Sequence, residues 1–174
     1  MKKLRFLLLD ANVVIKLYEL GLWQSVIDKC EILLARTVAE REAEFFFADD
    51  GQHGIDLAQD INSNRITVVD VQASDLKRFL DRFDPVYLER LDLGEAESLA
   101  YLISSEDPCL LCSSDAIVFR VLARLHRADQ GLSLEEMLQR VGLGRGLPKQ
   151  FTRMFREVWT KRGQEEMVRG IGLK

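Results

Sequence analysis

Apolar residues fall along this chain in short continuous runs separated by stretches of helical period. Leu4 to Leu9 is apolar except at Arg5, which predicts a strand buried on both faces, as in a parallel sheet. The run stops at Asp10. Residues 11–18 then read as a helix closing at Gly21, and 22–29 as a second short helix. A second strand is expected over 31–35. Residues 37–47 read as a helix, with Thr37 as N-cap and Glu40 at the capping-box spacing. The turn residues Asp49, Asp50, Gly51 and Gly54 lead into a helix over 54–62. Residues 65–71 are rich in β-branched side chains and predict a third strand. Ser74 is placed to cap a helix running to Phe83, Pro85 to open a further short one, and 94–104 is strongly helical. An apolar fourth strand over 108–112 precedes a helix over 115–127. A short edge strand over 131–133 ends at Ser133, which caps a helix with Glu136 in the capping-box position. The breakers Gly142, Gly144, Gly146 and Pro148 precede a basic helix over 149–169.

Strands alternating with helices imply crossover connections. The expected fold is therefore α/β: a mainly parallel sheet of four or five strands wrapped by helices on both faces, plus a C-terminal helical extension. The Gly/Pro cluster divides residues 1–141 from 142–174. A chain of 174 residues, 47% hydrophobic, can bury one sizeable core. Its net charge of −4 hides an asymmetry: residues 140–174 hold nine Lys and Arg against three Asp and Glu, and the remainder fifteen against twenty-five. No stretch approaches the roughly 18 apolar residues of a membrane span. Basic residues at the start, Met1-Lys2-Lys3-Leu4-Arg5, precede an apolar run, but Asp10 interrupts it, so no secretory leader is expected. Three cysteines do not make a disulfide framework and fit a reducing, cytoplasmic setting.

The chemistry expected of the chain is acidic. Asp10 ends the first strand and Asp115 follows the fourth, where an unpaired charge is costly and where open parallel sheets collect their chemistry. Glu40 and Glu95 lie in first turns of helices that can face the same edge. Either also reads as a simple first-turn cap. Carboxylates massed at one edge repel one another, and hard divalent cations such as Mg²⁺ or Mn²⁺ relieve that repulsion.

The segments carrying these residues resemble the motifs of PIN-domain nucleases, in order, over residues 4–141. LLLDANVVIKL at 7–17 is similar to the opening motif, and TVAERE at 37–42 to the second, which places Glu40. LGEAESLAYL at 93–102 is similar to the third motif of a subgroup with Gly-Glu-Ala-Glu, which places Glu95. LLCSSDAIVFRVLA at 110–123 resembles the fourth, which places Asp115, and GLSLEEML at 131–138 the closing edge strand and helix. The third position is Glu rather than the commoner Asp. Glu97 competes for it, although residues 95 and 97 point about 200° apart on a helix. Glu44, one turn from Glu40, is an alternative there.

The resemblance implies a metal-dependent ribonuclease with Asp10, Glu40, Glu95 and Asp115 as catalytic residues. Asp10, Glu95 and Asp115 would ligate Mg²⁺ or Mn²⁺. The family includes toxins of toxin–antitoxin pairs, so an antitoxin protein joins RNA as an expected partner. Asn12 is a candidate for substrate contact, for fixing the Asp10 loop, or for capping the first helix. Ser114 would orient a water or cap the next helix. Arg120, Arg124 and the tail cations, Arg145 among them, are candidates for phosphate contacts. The tail reads equally as a helix packing through Phe151, Phe155, Val158 and Trp159. The run Phe45-Phe46-Phe47 cannot all face one core and predicts an interface, hence a homodimer. Cys109 and Cys112 have C-x-x-C spacing but sit on a buried strand with no second pair, and His53 and His126 are isolated. The competing function is a non-catalytic module that binds nucleic acid or a protein.

Overall fold

The computed structural model describes residues 4–174, without the side chain of Phe6. The first three residues, on which the leader reading partly rests, lie outside the described residues. A five-stranded sheet forms the centre, from β1 (Leu4–Leu9), β2 (Cys30–Ala35), β5 (Ile66–Val69), β6 (Leu110–Cys112) and β7 (Gly131–Leu132). The order is β5-β2-β1-β6-β7 and every neighbouring pair is parallel. The chain is thus an α/β protein with a parallel sheet, as the alternation of runs predicts.

Apolar residues on consecutive strand positions separate into two layers. Leu7, Leu9, Ile32, Leu34 and Cys112 pack on one face with α1 (Ala11–Glu19), α2 (Trp23–Lys29) and α7 (Leu134–Arg140). Leu8, Leu33 and Leu111 face the other way, onto α4 (Ala73–Leu80), α5 (Leu93–Ser104) and α6 (Ala116–Arg124). Continuous apolar runs are required because both faces are covered.

One region departs from expectation. Residues 37–47 do not form an α-helix. Val38–Glu42 makes a short π-helical turn, and β3 (Phe45–Ala48) pairs antiparallel with β4 (Gly51–Gly54) as a separate hairpin. Three consecutive phenylalanines favour a strand over a helix, and Gly51 adopts the positive φ of 124° that the turn needs. Phe46 packs against Tyr18 and His53, with ring centres 5.6 and 5.3 Å away, while Phe45 and Phe47 stay exposed. Three smaller differences concern helix starts and ends. The helix expected over 54–62 is confined to α3 (Ala58–Asn62), Gln72 rather than Ser74 stands at the N-cap of α4, and residues 85–90 form turns.

The C-terminal segment packs on the body. Phe151, in a 3₁₀ turn over Lys149–Phe151, is buried in the first core layer, and α8 (Arg153–Val168) lies along α6. Gly163 permits the close approach, since a Cβ there would stand 2.6 Å from the Arg120 carbonyl oxygen. Three of the tail's arginines are paired with glutamates. Arg156 makes a two-pronged bond to Glu136 at 2.7 and 2.8 Å, Arg153 pairs with Glu157, and Arg162 pairs with Glu166. Arg124 is fully buried, and its three guanidinium nitrogens have no hydrogen-bond partner among the described residues. Its contact is the Tyr87 ring, 5.2 Å away. No helix among the described residues is long and apolar enough to cross a membrane.

Candidate active site

The carboxyl ends of β1 and β6 are adjacent, with Leu9 opposite Cys112, and the Asp10 N–H donates to the Cys112 carbonyl at 3.1 Å. Asp10 and the Ser113-Ser114-Asp115 segment are thereby neighbours, though 103 to 105 residues separate them. The Asp10 carboxylate is buried and accepts from the Val13 N–H at 2.8 Å, the Ser114 N–H at 3.1 Å and the Ser113 hydroxyl. Ser113 Oγ in turn accepts from the Asp115 N–H at 3.0 Å. A hydroxyl has one proton, so it is committed to Asp10 while its lone pairs hold the start of α6. Asp115 caps that helix through the Ile117 N–H at 3.0 Å.

The opposite wall comes from α5. Asp92 and Glu95 form a reciprocal capping box: the Glu95 N–H donates to Asp92 at 2.9 Å, and the Asp92 N–H donates to Glu95 at 3.2 Å. The third wall is the π-helical turn, whose Glu42 accepts from the Gly94 N–H at 3.0 Å. Gly94 is needed there, because a Cβ would fall 2.1 Å from a Glu42 oxygen and 2.7 Å from Val38 Cγ2. Asp10, Glu42, Asp92 and Glu95, with Ala11, Asn12 and Ile15, line a depression of about 340 Å³.

Electrostatics ties these groups into one neighbourhood. Burial raises Asp10 to about 6, even though Ser113, Val13 and Ser114 pull it down, and the charge of Asp92 adds to the rise. Glu95 is pushed up to about 9, first by burial and then by Asp92, Asp115 and Asp10. Glu42 is raised by burial, against the Gly94 hydrogen bond, and then by Asp92, Glu97 and Asp10. Asp92, on the rim, is also raised, by partial desolvation and by Asp115. Burial first, and neighbouring carboxylates second, make the charged forms costly, and Glu95, pushed up to about 9, holds a proton at neutral pH.

Comparison with models of protein families, with curated proteins and with solved structures gave no match. Geometry and chemistry alone therefore carry the functional reading.

Three of the four expected catalytic carboxylates, Asp10, Glu95 and Asp115, are brought together; Glu40 is not. Its exposed carboxylate pairs with Arg36, which also forks onto Asp70. Glu44 is exposed and does not line the depression. In a π-turn the chain advances five residues per hydrogen bond, visible as Ala43 N–H to the Val38 carbonyl, so the phase expected from an α-helix is lost. Glu42 takes the inward position. Glu97 points away from the depression and holds the turn instead, accepting from the Thr37 N–H at 3.1 Å and hydroxyl at 2.8 Å. Asn12 is exposed at the rim and does not cap the first helix, a place taken by Asp10. Ser114 touches Asp10 through its N–H, while the hydroxyl that orients Asp10 belongs to Ser113. Arg120 is spent on Glu166, at 2.8 and 3.1 Å, and lies over the Tyr87 ring at 4.9 Å, so it is not a free phosphate contact. Arg145 is exposed in the loop after α7.

All five acidic groups are hard oxygen donors of the kind Mg²⁺ and Mn²⁺ prefer. Among the described residues they do not stand as a ready-made cage, since no group of three or more acidic, histidine or cysteine side chains is arranged to hold a metal ion. Each is instead occupied by backbone N–H groups at a cap or turn.

Proposed function

We propose that this chain is a divalent-metal-dependent ribonuclease of PIN type, with Asp10, Glu42, Asp92, Glu95 and Asp115 as the acidic set. One observation carries the reading. Carboxylates from four separate segments converge at the carboxyl edge of a parallel sheet, with Asp10 and Glu95 held far above their ordinary range by burial and mutual repulsion. Each carboxylate also caps a helix or holds a turn, but capping does not require that all of them gather at one sheet edge.

When bound there, Mg²⁺ or Mn²⁺ would activate water and offset charge on the phosphodiester. The residues do the positioning. Ser113 and the Ser114 N–H fix the Asp10 carboxylate, and Asp115 is held by its N-cap bond. Glu95 would lose its proton on ligation, which couples affinity to pH. Glu42 is placed by Gly94 at the open rim, where it can accept a proton from an attacking water.

The test is cleavage of end-labelled single-stranded RNA with Mg²⁺ or Mn²⁺, against chelator and the variants Asp10→Asn and Asp115→Asn. Activity that survives chelation or both substitutions defeats the proposal. The lack of a preformed metal cage favours a second reading, a non-catalytic module binding nucleic acid or a protein. Against it, three of the tail arginines that would supply its contacts, Arg153, Arg156 and Arg162, are paired with glutamates. A second copy of the chain, or an antitoxin, belongs to the same proposal as RNA. The exposed Phe45 and Phe47 support the homodimer.

A further inference from the structure

The depression lined by carboxylates has a neighbour. Asn12 and Ile15 on α1 line it and also line a second depression of about 340 Å³, completed by Lys16, Glu19, Ser114, Gln150 and Phe151. The two share a wall along the first turns of α1. Ser114 links them as well, since its N–H donates to Asp10. On the far side, the turn that carries Gln150 is anchored by Phe151, which is 4% exposed. That turn belongs to the segment after residue 141, beyond the reach of the PIN resemblance.

The polar groups here are unspent. The Asn12 and Gln150 amides and the Ser114 hydroxyl make no hydrogen bond among the described residues. Each amide offers two donors and an acceptor, the groups by which proteins read the edges of unpaired bases. The charge is balanced, because Lys16 is paired with Glu19 and lies 5.5 Å from the Phe151 ring centre. A phosphate would find no free cation in this pocket, whereas an uncharged heterocycle would find donors, acceptors and an apolar floor. Its volume is at the small end of ligand pockets, which begin at about 300 Å³.

Resting on the nuclease reading above, we propose that this second depression seats one unpaired base of the RNA strand whose scissile phosphodiester lies over the carboxylates. Gln150 and Asn12 read that base and set a sequence preference at one position beside the cut.

Two measurements test this. In the metal-free protein, each of the four ribonucleosides is titrated while backbone amide NMR shifts are followed. One nucleoside should shift the signals of Asn12, Ser114 and Gln150, and Gln150→Ala should remove the response while thermal unfolding stays unchanged. Separately, a randomised single-stranded RNA is cut with Mn²⁺ and the new ends are sequenced. The preference at one position should fall about tenfold in Gln150→Ala and in Asn12→Ala, the discrimination expected of a lost amide–base pair. Cleavage with an unaltered preference, together with no nucleoside shifts at these residues, overturns the base pocket and leaves the nuclease reading standing. Nucleoside shifts without any RNA cleavage overturn the nuclease reading and retain the pocket. Neither signal overturns both.

Discussion

Replacing Asp10 with asparagine should make the cation-free protein more stable while abolishing its activity. Burial lifts this carboxyl to about 6 from an ordinary 3.8, despite three hydrogen-bond donors. A tenfold change in proton affinity is worth about 1.4 kcal/mol, so the ionised form costs the fold about 3 kcal/mol above neutrality. The folded state holds the proton more tightly than the unfolded chain does. The stabilising contribution is therefore complete below the unfolded value near 3.8 and is lost as pH rises through about 6. Asparagine still accepts from the Val13 N–H as an N-cap and is neutral throughout. It meets the Ser113 hydroxyl and Ser114 N–H less well than a carboxylate does. The net gain at pH 8 in chelator is then about 1–3 kcal/mol, or a rise in Tm of roughly 3–9 °C for a chain of this size. At pH 4 the gain should shrink toward zero. Thermal unfolding by circular dichroism at both pH values, beside RNA cleavage with Mn²⁺, reads both halves of the prediction. An Asp10→Asn protein less stable than wild type at pH 8 by more than about 1 kcal/mol would refute the reasoning, because Asp10 would then be a structural cap without a stored penalty.

Other substitutions separate the site from its surroundings. Glu42→Gln should lower cleavage by about 100-fold, whereas Glu40→Gln, losing only an exposed pair with Arg36, should change it less than about twofold; equal effects would reject the assignment of Glu42. Ser113→Ala removes a donor that lowers Asp10, so the ascending limb of the pH–rate profile should move to higher pH, and an unmoved limb would show that Asp10 does not govern it. Arg124→Met removes a buried guanidinium without a hydrogen-bond partner and should stabilise the fold by about 1–4 kcal/mol in denaturant unfolding. A clear loss would mean that the Tyr87 contact outweighs desolvation.

The sheet was readable because burial on both faces forces unbroken apolar runs, and the two aspartates were readable because Asp10 ends one such run and Asp115 follows another after two serines. Adjacency of β1 and β6 then brings Asp10 to Ser114 without further information. Asp92 was also within reach, since Asp92 and Glu95 stand at capping-box spacing; starting the helix at Gly94 hid it. Glu42 was not. A π-turn has no periodic signature, and Thr37 with Glu40 mimics a capping box that the structure replaces with the Thr37–Glu97 bond. The phenylalanine run misled in the same place, because it extended an apparent helix into what is a strand of the hairpin. The tail's positive charge described composition correctly but overstated availability, since Glu136, Glu157 and Glu166 pair with three of its arginines, Arg156, Arg153 and Arg162.

Calorimetric titration of Mn²⁺ into the metal-free protein at pH 7, repeated in buffers of different ionisation enthalpy, tests the acidic site most directly. The carboxylate cluster should bind the ion and release at least one proton, chiefly from Glu95, and Asp10→Asn should abolish the heat of binding. Absence of binding at millimolar Mn²⁺, or binding that Asp10→Asn leaves intact, would contradict it.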